Sequence, residues 1–208
     1  MMIATAAKRP KRVIKAAIFA LSFAIASPFI LVTWLEKRSS LGEGLFGLCS
    51  EILAVMPGFP GRWLRGAFYF AALDHCSWET HIGFGTLFTH RGAMVGARVS
   101  TGAYCVIGHA RLGDEVMIGS RVSIPSGKRQ HLDDAGKLAA RTRFETVSVG
   151  PQSWVGEGAI LVASVGSECI VAAGAVVTNE MPSRCLIGGN PARVIRELDS
   201  APRPARAD

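Results

Sequence analysis

A short unit recurs along the second half of this chain: an aliphatic residue, often followed by glycine, returns about every six residues. Such a short fixed period is typical of a solenoid, and a period of six predicts a β-helix. Each aliphatic side chain would then stack on its equivalents in neighbouring coils, while glycine, alanine and serine fill the corners. The copies are Ile82-Gly83, Val95-Gly96, Ile107-Gly108, Leu112-Gly113, Ile118-Gly119, Val149-Gly150, Val155-Gly156 and Val165-Gly166.

The N-terminal segment has the composition of a membrane element. The chain is 49% hydrophobic, and the uncharged run from Ala16 to Leu35 is long enough to cross a hydrocarbon core as a helix. Basic residues flank the run on both sides, which favours a cytoplasmic N-terminus. Pro28 predicts a kink or a break within it. A kinked span, a re-entrant hairpin and a signal peptide cleaved near Ala26 all remain open.

A second helical stretch is predicted from Leu41 to Leu73, with a break at Gly58-Phe59-Pro60-Gly61. Its second half mixes aromatic residues with Arg62 and Arg65, which suits a helix in the lipid headgroup layer. Packing of this helix on the end of the solenoid is the alternative. We therefore divide the chain into an N-terminal membrane-associated segment (1–74), a β-helical domain (75–198) and a disordered tail (199–208).

Charge and cysteine usage exclude several classes of function. The formal net charge is +7, but aromatic residues do not alternate with the basic ones, so nucleic acid is not the expected partner. Membrane phosphates or a phosphorylated cofactor fit the charge better. The five cysteines are scattered and form no CxxC pair. They predict neither a zinc site nor a disulfide scaffold, but buried, reduced thiols.

The C-terminal part of the chain resembles the hexapeptide-repeat acyltransferases. The resemblance rests on VGSECIVAAGAVVTNEMPSRCLIGGNPARVIR (165–196) and VGPQSWVGEGAIL (149–161). The segment HCSWETHIGFGTLFTHRGAMVGARV (75–99) is similar to relatives that act in surface-polysaccharide synthesis. This resemblance implies a left-handed parallel β-helix and a homotrimer. It also implies acetyl-CoA as the acyl donor, bound in a groove between subunits, and no metal.

The repeat pattern stops after Ile124 and resumes at Val147, leaving a polar loop over 125–146. The resemblance implies that a histidine in this loop is the catalytic base, and here that residue is His131. A neutral imidazole can remove the proton of a hydroxyl as it attacks a thioester. Asp133 or Asp134 either orients this imidazole or is simply solvated. The adjacent Lys128 and Arg129 are expected to bind an anionic acceptor, or else to form a charged loop tip.

The same resemblance assigns the donor-binding residues. Positions equivalent to those that contact the pantetheine arm, the adenosine end and the phosphates of CoA are Trp154, Ala173, Gly174, Thr178, Asn179, Arg193 and Arg196. His90 is expected to line the acceptor pocket. Alternatively, His81, His90 and His109 would together hold a metal ion, as in a hydratase built on the same solenoid.

These observations predict a membrane-associated O-acetyltransferase that acts on a carbohydrate hydroxyl, for example on a lipid-linked exopolysaccharide or lipopolysaccharide precursor. Its expected location is the cytoplasmic face of the inner membrane, anchored by residues 13–35. The alternatives are an N-acyltransferase, an antibiotic-type acetyltransferase, and a non-catalytic scaffold of a polysaccharide synthase.

Overall fold

The computed structural model describes residues 8–39, 42–133 and 135–199, with side chains from residue 12 onward. Three helices precede the repeat region: α1 (Lys8–Lys37), α2 (Gly44–Ala54) and α3 (Gly58–Ala72). The strands that follow are two to six residues long. Asp134 and the predicted tail from residue 200 onward lie outside the described residues.

The strands form three parallel sheets that make the three faces of a prism. Sheet A contains β1 (His75–Cys76), β3 (Met94–Val95), β6 (Ala110–Leu112) and β9 (Val147–Val149). Sheet B contains β4 (Ser100–Thr101), β7 (Met117–Ile118), β10 (Trp154–Val155), β12 (Ile170–Val171), β14 (Cys185–Gly189) and, antiparallel at its end, β15 (Ala192–Glu197). Sheet C contains β2 (Leu87–Phe88), β5 (Val106–Ile107), β8 (Ser123–Ile124), β11 (Ile160–Leu161) and β13 (Val176–Val177).

The repeat residues form the core of this prism, as the sequence predicts. Within sheet A, Val95 pairs with Leu112, and Leu112 pairs with Val149. All three side chains are buried, so each inward residue stacks on its equivalent in the next coil. The corners are tight: a Cβ added at Gly102 would lie 2.5 Å from the backbone nitrogen of Ser120 in the next coil. The predicted hexapeptide-repeat β-helix is confirmed.

Helix α1 is continuous through Pro28, so the chain does not turn back there as a re-entrant hairpin requires. A proline at this position leaves the carbonyl of Ala24 without its helical partner. The hydroxyl of Ser27 donates to that carbonyl at 2.7 Å, which satisfies the freed group. The segment Arg12–Lys37 has a mean hydropathy of 2.2 and is long enough to cross a membrane, by length and composition.

Helices α2 and α3 are separated at 55–57, slightly before the predicted break. Pro60 lies in the first turn of α3, where a missing N–H costs nothing. Arg65 is buried and donates to the carbonyls of Leu53 and Met56, at the end of α2, and of Ile82 in the solenoid. Arg65 therefore fastens α3 to the first coil, and α3 packs on the end of the solenoid.

The three helices form a layer over this N-terminal end, which we call the helical layer (8–39 and 42–72). A buried ion pair between Glu36 of α1 and Arg91 of the first coil fastens the layer to the prism. Glu36 also accepts the backbone N–H of Phe46 at 2.9 Å, in the first turn of α2. A carboxylate is stabilised there by the unpaired N–H groups of a helix start.

Candidate functional site

The polar loop leaves the prism at the corner where the chain turns from sheet C to sheet A. We call this corner the loop edge. Because every coil turns at the same corner, the loop edge collects residues that are far apart in the sequence. They belong to segments 89–93, 108–109, 125–146, 162–164 and 178–180. Predicted site residues His90, Lys128, Arg129, His131, Thr178 and Asn179 all lie on this edge.

The loop has internal order of its own. Leu132 and Leu138 form an isolated antiparallel bridge. Between them, the carboxylate of Asp133 accepts the backbone N–H groups of Ala135 at 2.9 Å and of Lys137 at 2.8 Å. Asp133 thus stabilises a turn, as short acidic side chains commonly do. Its Oδ1 is thus engaged by the backbone.

His131 itself is exposed to solvent. Its Nε2 lies 3.1 Å from the Nε2 of Gln130, and its carbonyl accepts the N–H of Ala139 at 2.9 Å. The backbone of His131 is therefore held in the loop while the ring projects outward. A ring in this position is accessible to a substrate, and its catalytic role stays a prediction.

An aromatic cluster attaches the loop to the first two coils. Phe144 of the loop stacks on His109, with ring centroids 5.1 Å apart and planes at 16°, and lies 4.3 Å from the ring of His90. The centroids of the two histidines are 4.9 Å apart. Nδ1 of His90 lies 2.9 Å from a carboxylate oxygen of Glu43, in the connection between α1 and α2. We call these four residues the His90 cluster.

Sequence reasoning missed most of this cluster, although the repeat contains a signal for part of it. His90 and His109 each lie two residues after a sheet C strand residue, Phe88 and Ile107, and these two pair in register. The register therefore stacks the histidines. Burial, followed by the neighbouring His90, lowers the pKa of His109, which favours its neutral form.

A second contact joins the loop to the later coils. Nζ of Lys128 lies 3.4 Å from the carbonyl of Thr178, and Lys128 and Asn179 line one shallow depression together with Glu145. Arg129 lines a neighbouring depression with Phe144. The structure thus brings three predicted acceptor residues (His90, Lys128 and Arg129) and two predicted donor residues (Thr178 and Asn179) to a single edge of the prism.

The other predicted donor residues lie elsewhere on the prism. Ala173 and Gly174 are exposed at the corner between sheets B and C, and Trp154 is exposed on sheet B. Arg193 and Arg196 are exposed on β15, at the C-terminal end of the solenoid. Within this chain, these residues do not lie at the loop edge.

All five cysteine side chains are buried. Burial raises the pKa of the thiols of Cys105 and Cys169, and that of Cys76 to about 12, so these thiols are weak nucleophiles. Across residues 8–39, 42–133 and 135–199, no three potential ligands are grouped to hold a metal ion. His81 lies beside Ser100 of sheet B, away from His90, so the proposed three-histidine site is not formed.

No family model matches the sequence, and no curated protein matches it. The fold, however, is shared with solved acetyltransferases. A maltose O-acetyltransferase from Clostridium difficile 630 has 19% identity and a TM-score of 0.66, with 74% of this chain and 86% of that chain covered. A hexapeptide-repeat acetyltransferase from Vibrio cholerae O1 biovar eltor, complexed with acetyl coenzyme A, has 20% identity and a TM-score of 0.62, covering 72% and 84%.

A galactoside acetyltransferase in complex with coenzyme A has 17% identity and a TM-score of 0.59, with 77% of this chain and 86% of that chain covered. These structures are solenoids of the hexapeptide-repeat type, and at this level of identity the similarity establishes the fold. The similarity does not by itself assign the ligands or substrates of these structures to this chain.

Proposed function

We propose that this protein is a membrane-associated O-acetyltransferase that transfers acetyl from acetyl-CoA to a carbohydrate hydroxyl. The observation that carries the proposal is the contact between Lys128 and Thr178, because it joins the loop of the exposed His131 to two of the seven predicted donor residues, Thr178 and Asn179. Two structures that share this fold act on sugars, according to their names, and two contain CoA or acetyl-CoA.

The residues present fit acetyl-CoA as the donor. Gly174 has a φ of +69°, and a Cβ there would have no neighbour within 4 Å, so this corner leaves room for a slender chain such as the pantetheine arm. Trp154 offers an exposed ring on sheet B, where it pairs with Ile170, four residues before Gly174. Arg193 and Arg196 are exposed guanidinium groups, which suit phosphates because their donors form a planar fork.

The division of donor residues between two parts of the prism supports a homotrimer. Ala173 and Gly174 lie on a different corner from Thr178 and the loop. In a trimer of parallel prisms, one subunit would supply the loop edge and its neighbour would supply the corner between sheets B and C. The donor would then lie between them, with the thioester near His131.

The chemistry proposed for His131 is general base catalysis. The neutral imidazole accepts the proton of the acceptor hydroxyl while the oxygen forms a bond to the thioester carbon. The C–S bond then breaks, and the proton passes from His131 to the sulfur of the departing CoA. Because the acceptor oxygen attacks the thioester directly, this mechanism requires no acyl-enzyme, and it makes no use of the five buried cysteines.

The acceptor is proposed to be a lipid-linked precursor of a surface polysaccharide, met at the cytoplasmic face of the inner membrane. Residues 13–35 would anchor the enzyme there. Lys128 and Arg129 on the exposed loop would bind the negative charge of a diphosphate linkage, and His90 would lie on the acceptor side of the site. A membrane-bound enzyme would meet a membrane-bound acceptor more often than a soluble enzyme would.

The test is acetyl transfer by the purified protein, followed as thiol release from acetyl-CoA in the presence of carbohydrate acceptors. We expect His131→Ala to lower kcat by about 10²- to 10⁴-fold, which is the usual contribution of a general base. CoA binding should be unchanged. His75→Ala, which removes an exposed histidine of sheet A, is the matched control.

Mass spectrometry of surface glycans from cells with and without the protein would identify the lost acetyl group. Full turnover by His131→Ala would remove this residue from the mechanism. Transfer to amino sugars but not to hydroxyl-only acceptors would favour the N-acyltransferase alternative. A purified protein that gains no thermal stability from acetyl-CoA would favour the scaffold.

A further inference from the structure

We propose that the helical layer is an in-plane membrane-binding surface, in which α1 lies along the bilayer surface rather than crossing it. The inference rests on the membrane association in the proposed function and adds the orientation of the protein on the bilayer. It is independent of the acetyl-transfer chemistry. Its lipid partner is a bilayer that carries anionic headgroups.

The first argument is that both ends of the apolar part of α1 contact the solenoid. Near the start, the ring of Phe19 lies 5.9 Å from that of Trp78, in the first coil. Near the end, Glu36 pairs with Arg91 of the same coil. Seventeen residues of helix separate these two positions, a length of about 26 Å at 1.5 Å per residue.

Those positions leave little of α1 free to enter a bilayer. A spanning helix needs about 30 Å of apolar length within the hydrocarbon core. If α1 crossed the core, it would carry the first coil with it, including the Glu36–Arg91 pair and the polar corners of the prism. Such groups are expensive inside the hydrocarbon. Lying in the interface avoids this cost.

The second argument is the distribution of apolar side chains over the layer. Helix α1 buries one stripe against its neighbours, at positions that include Ser22, Ala26, Thr33 and Glu36. The faces turned away from the protein are apolar: Leu21 is 64% exposed and Leu48 of α2 is 52% exposed. The other large exposed apolar residues of the layer are Val13, Ile14, Ile25, Leu31, Val32, Trp34, Leu35, Leu45, Ile52, Val55, Met56, Phe59 and Phe70.

The third argument is charge, which selects a lipid surface over other apolar partners. Among the described side chains of the layer, the exposed cations are Arg12, Lys15, Lys37, Arg38 and Arg62, of which Lys37 pairs with Asp74. The carboxylates that reach solvent are Glu51 and, partly, Glu43, which contacts His90. The guanidinium of Arg38 lies 3.5 Å from the ring centre of Trp34. Apolar faces bordered by cations and tryptophan are the composition of interfacial helices.

This orientation brings the loop edge close to the lipid surface. The loop leaves the prism after its third coil, and neighbouring coils are about 4.8 Å apart, so its base lies roughly 10–15 Å from the layer. Phe144 brings the loop back toward the layer, because it packs against His90 of the first coil. A sugar on a membrane-embedded carrier is within reach of an edge at this height.

The topology of α1 is tested by thiol labelling of the full chain in membranes. All five native cysteines are buried, so background labelling should be low. Arg12→Cys and Arg38→Cys place one reporter at each end of the apolar segment. In sealed inverted vesicles, an impermeant maleimide should label both reporters, and in right-side-out vesicles it should label neither. Labelling of the two reporters from opposite sides would establish a span and overturn the proposal.

Lipid binding is tested by co-flotation of the purified protein with phosphatidylcholine vesicles that contain 0 or roughly 30% phosphatidylglycerol, in the range of anionic lipid that attracts basic surfaces. Leu48→Glu/Ile52→Glu should lower binding to the anionic vesicles at least tenfold. Arg184→Glu, an exposed site in a late coil, changes the net charge equally and should leave binding unaltered.

Unaltered binding of the double variant, or an altered oligomeric state without loss of binding, would refute the lipid surface. The second result would assign the face to another copy of the chain. Thiol release with a soluble acceptor, measured on the same samples, distinguishes a failure of the lipid-surface proposal from a failure of the proposed function. Loss of flotation with intact turnover concerns the layer alone.

Discussion

The ion pair between Glu36 and Arg91 gives the sharpest stability prediction. The side chains are 1% and 7% exposed, so neither charge is compensated by water. Glu36→Gln keeps the shape and one of the two oxygens that accept N–H groups of α2, but removes the negative charge opposite Arg91. Removing one partner of a buried pair costs about 3–5 kcal/mol, because the other charge stays buried and uncompensated.

That cost is a large part of the 5–15 kcal/mol that stabilises an ordinary domain. We expect it to appear as an early transition in chemical denaturation, in which the helical layer separates from the prism. Arg91 also donates to the carbonyl of Thr33 at 2.9 Å, so its charge has a second, weaker partner. The measured value should therefore lie toward the lower end of the range.

A double-mutant cycle with Arg91→Met isolates the pair. Once both charges are gone, no buried charge remains, and the double variant should be less destabilised than the sum of the single variants by about 2 kcal/mol or more. Lys37→Gln, which breaks the exposed pair with Asp74, is the control and should cost less than about 1 kcal/mol. A cost below 1 kcal/mol for Glu36→Gln, or strict additivity in the cycle, would refute the reasoning.

The remaining predictions concern the site. Phe144→Ala removes two ring contacts, to His90 and His109, worth about 0.5–1.5 kcal/mol each. Tryptic cleavage within the loop should therefore become about 5- to 100-fold faster. An unaltered rate would show that these ring contacts do not hold the loop. Arg193→Ala/Arg196→Ala should weaken the binding of CoA, measured by calorimetry, more than it weakens the binding of pantetheine, which lacks the phosphates. Folding lowers the pKa of His109. Once the pH falls below about 6.5, the unfolded chain therefore binds more protons than the folded chain does. The free energy of unfolding should therefore fall with acid through that range, and His109→Gln should make the dependence shallower.

Much of the architecture could be predicted because it depends on a local rule repeated many times. Inward positions must be aliphatic and corners must be small, and a break in that rule at Ile124 locates the loop. The stacking of His90 on His109 follows from the same register, although it becomes visible only when the coils are aligned. These features share one cause, which is the pairing of each coil with the next.

Features that join the helical layer to the prism have no such rule. Glu36 meets Arg91 across 55 positions of sequence, and Glu43 meets His90 across 47. No periodicity indicates these pairs. The sequence left two interpretations of Pro28 open, a kinked continuous helix and a re-entrant hairpin. The structure has the continuous helix, in which the hydroxyl of Ser27 satisfies the carbonyl that the proline leaves free.

The pairing of each coil with the next also limits how such a chain can change in length. Paired residues of neighbouring coils are sixteen positions apart at Trp154 and Ile170 and nineteen apart at Leu87 and Val106. Inserting one residue into a strand would turn aliphatic side chains to the outside and force polar ones into the interior. Viable insertions and deletions therefore come as entire coils, or as segments of any length at a corner. The loop over 125–146 is an insertion of the second kind, and new specificities can arise there while the register stays untouched.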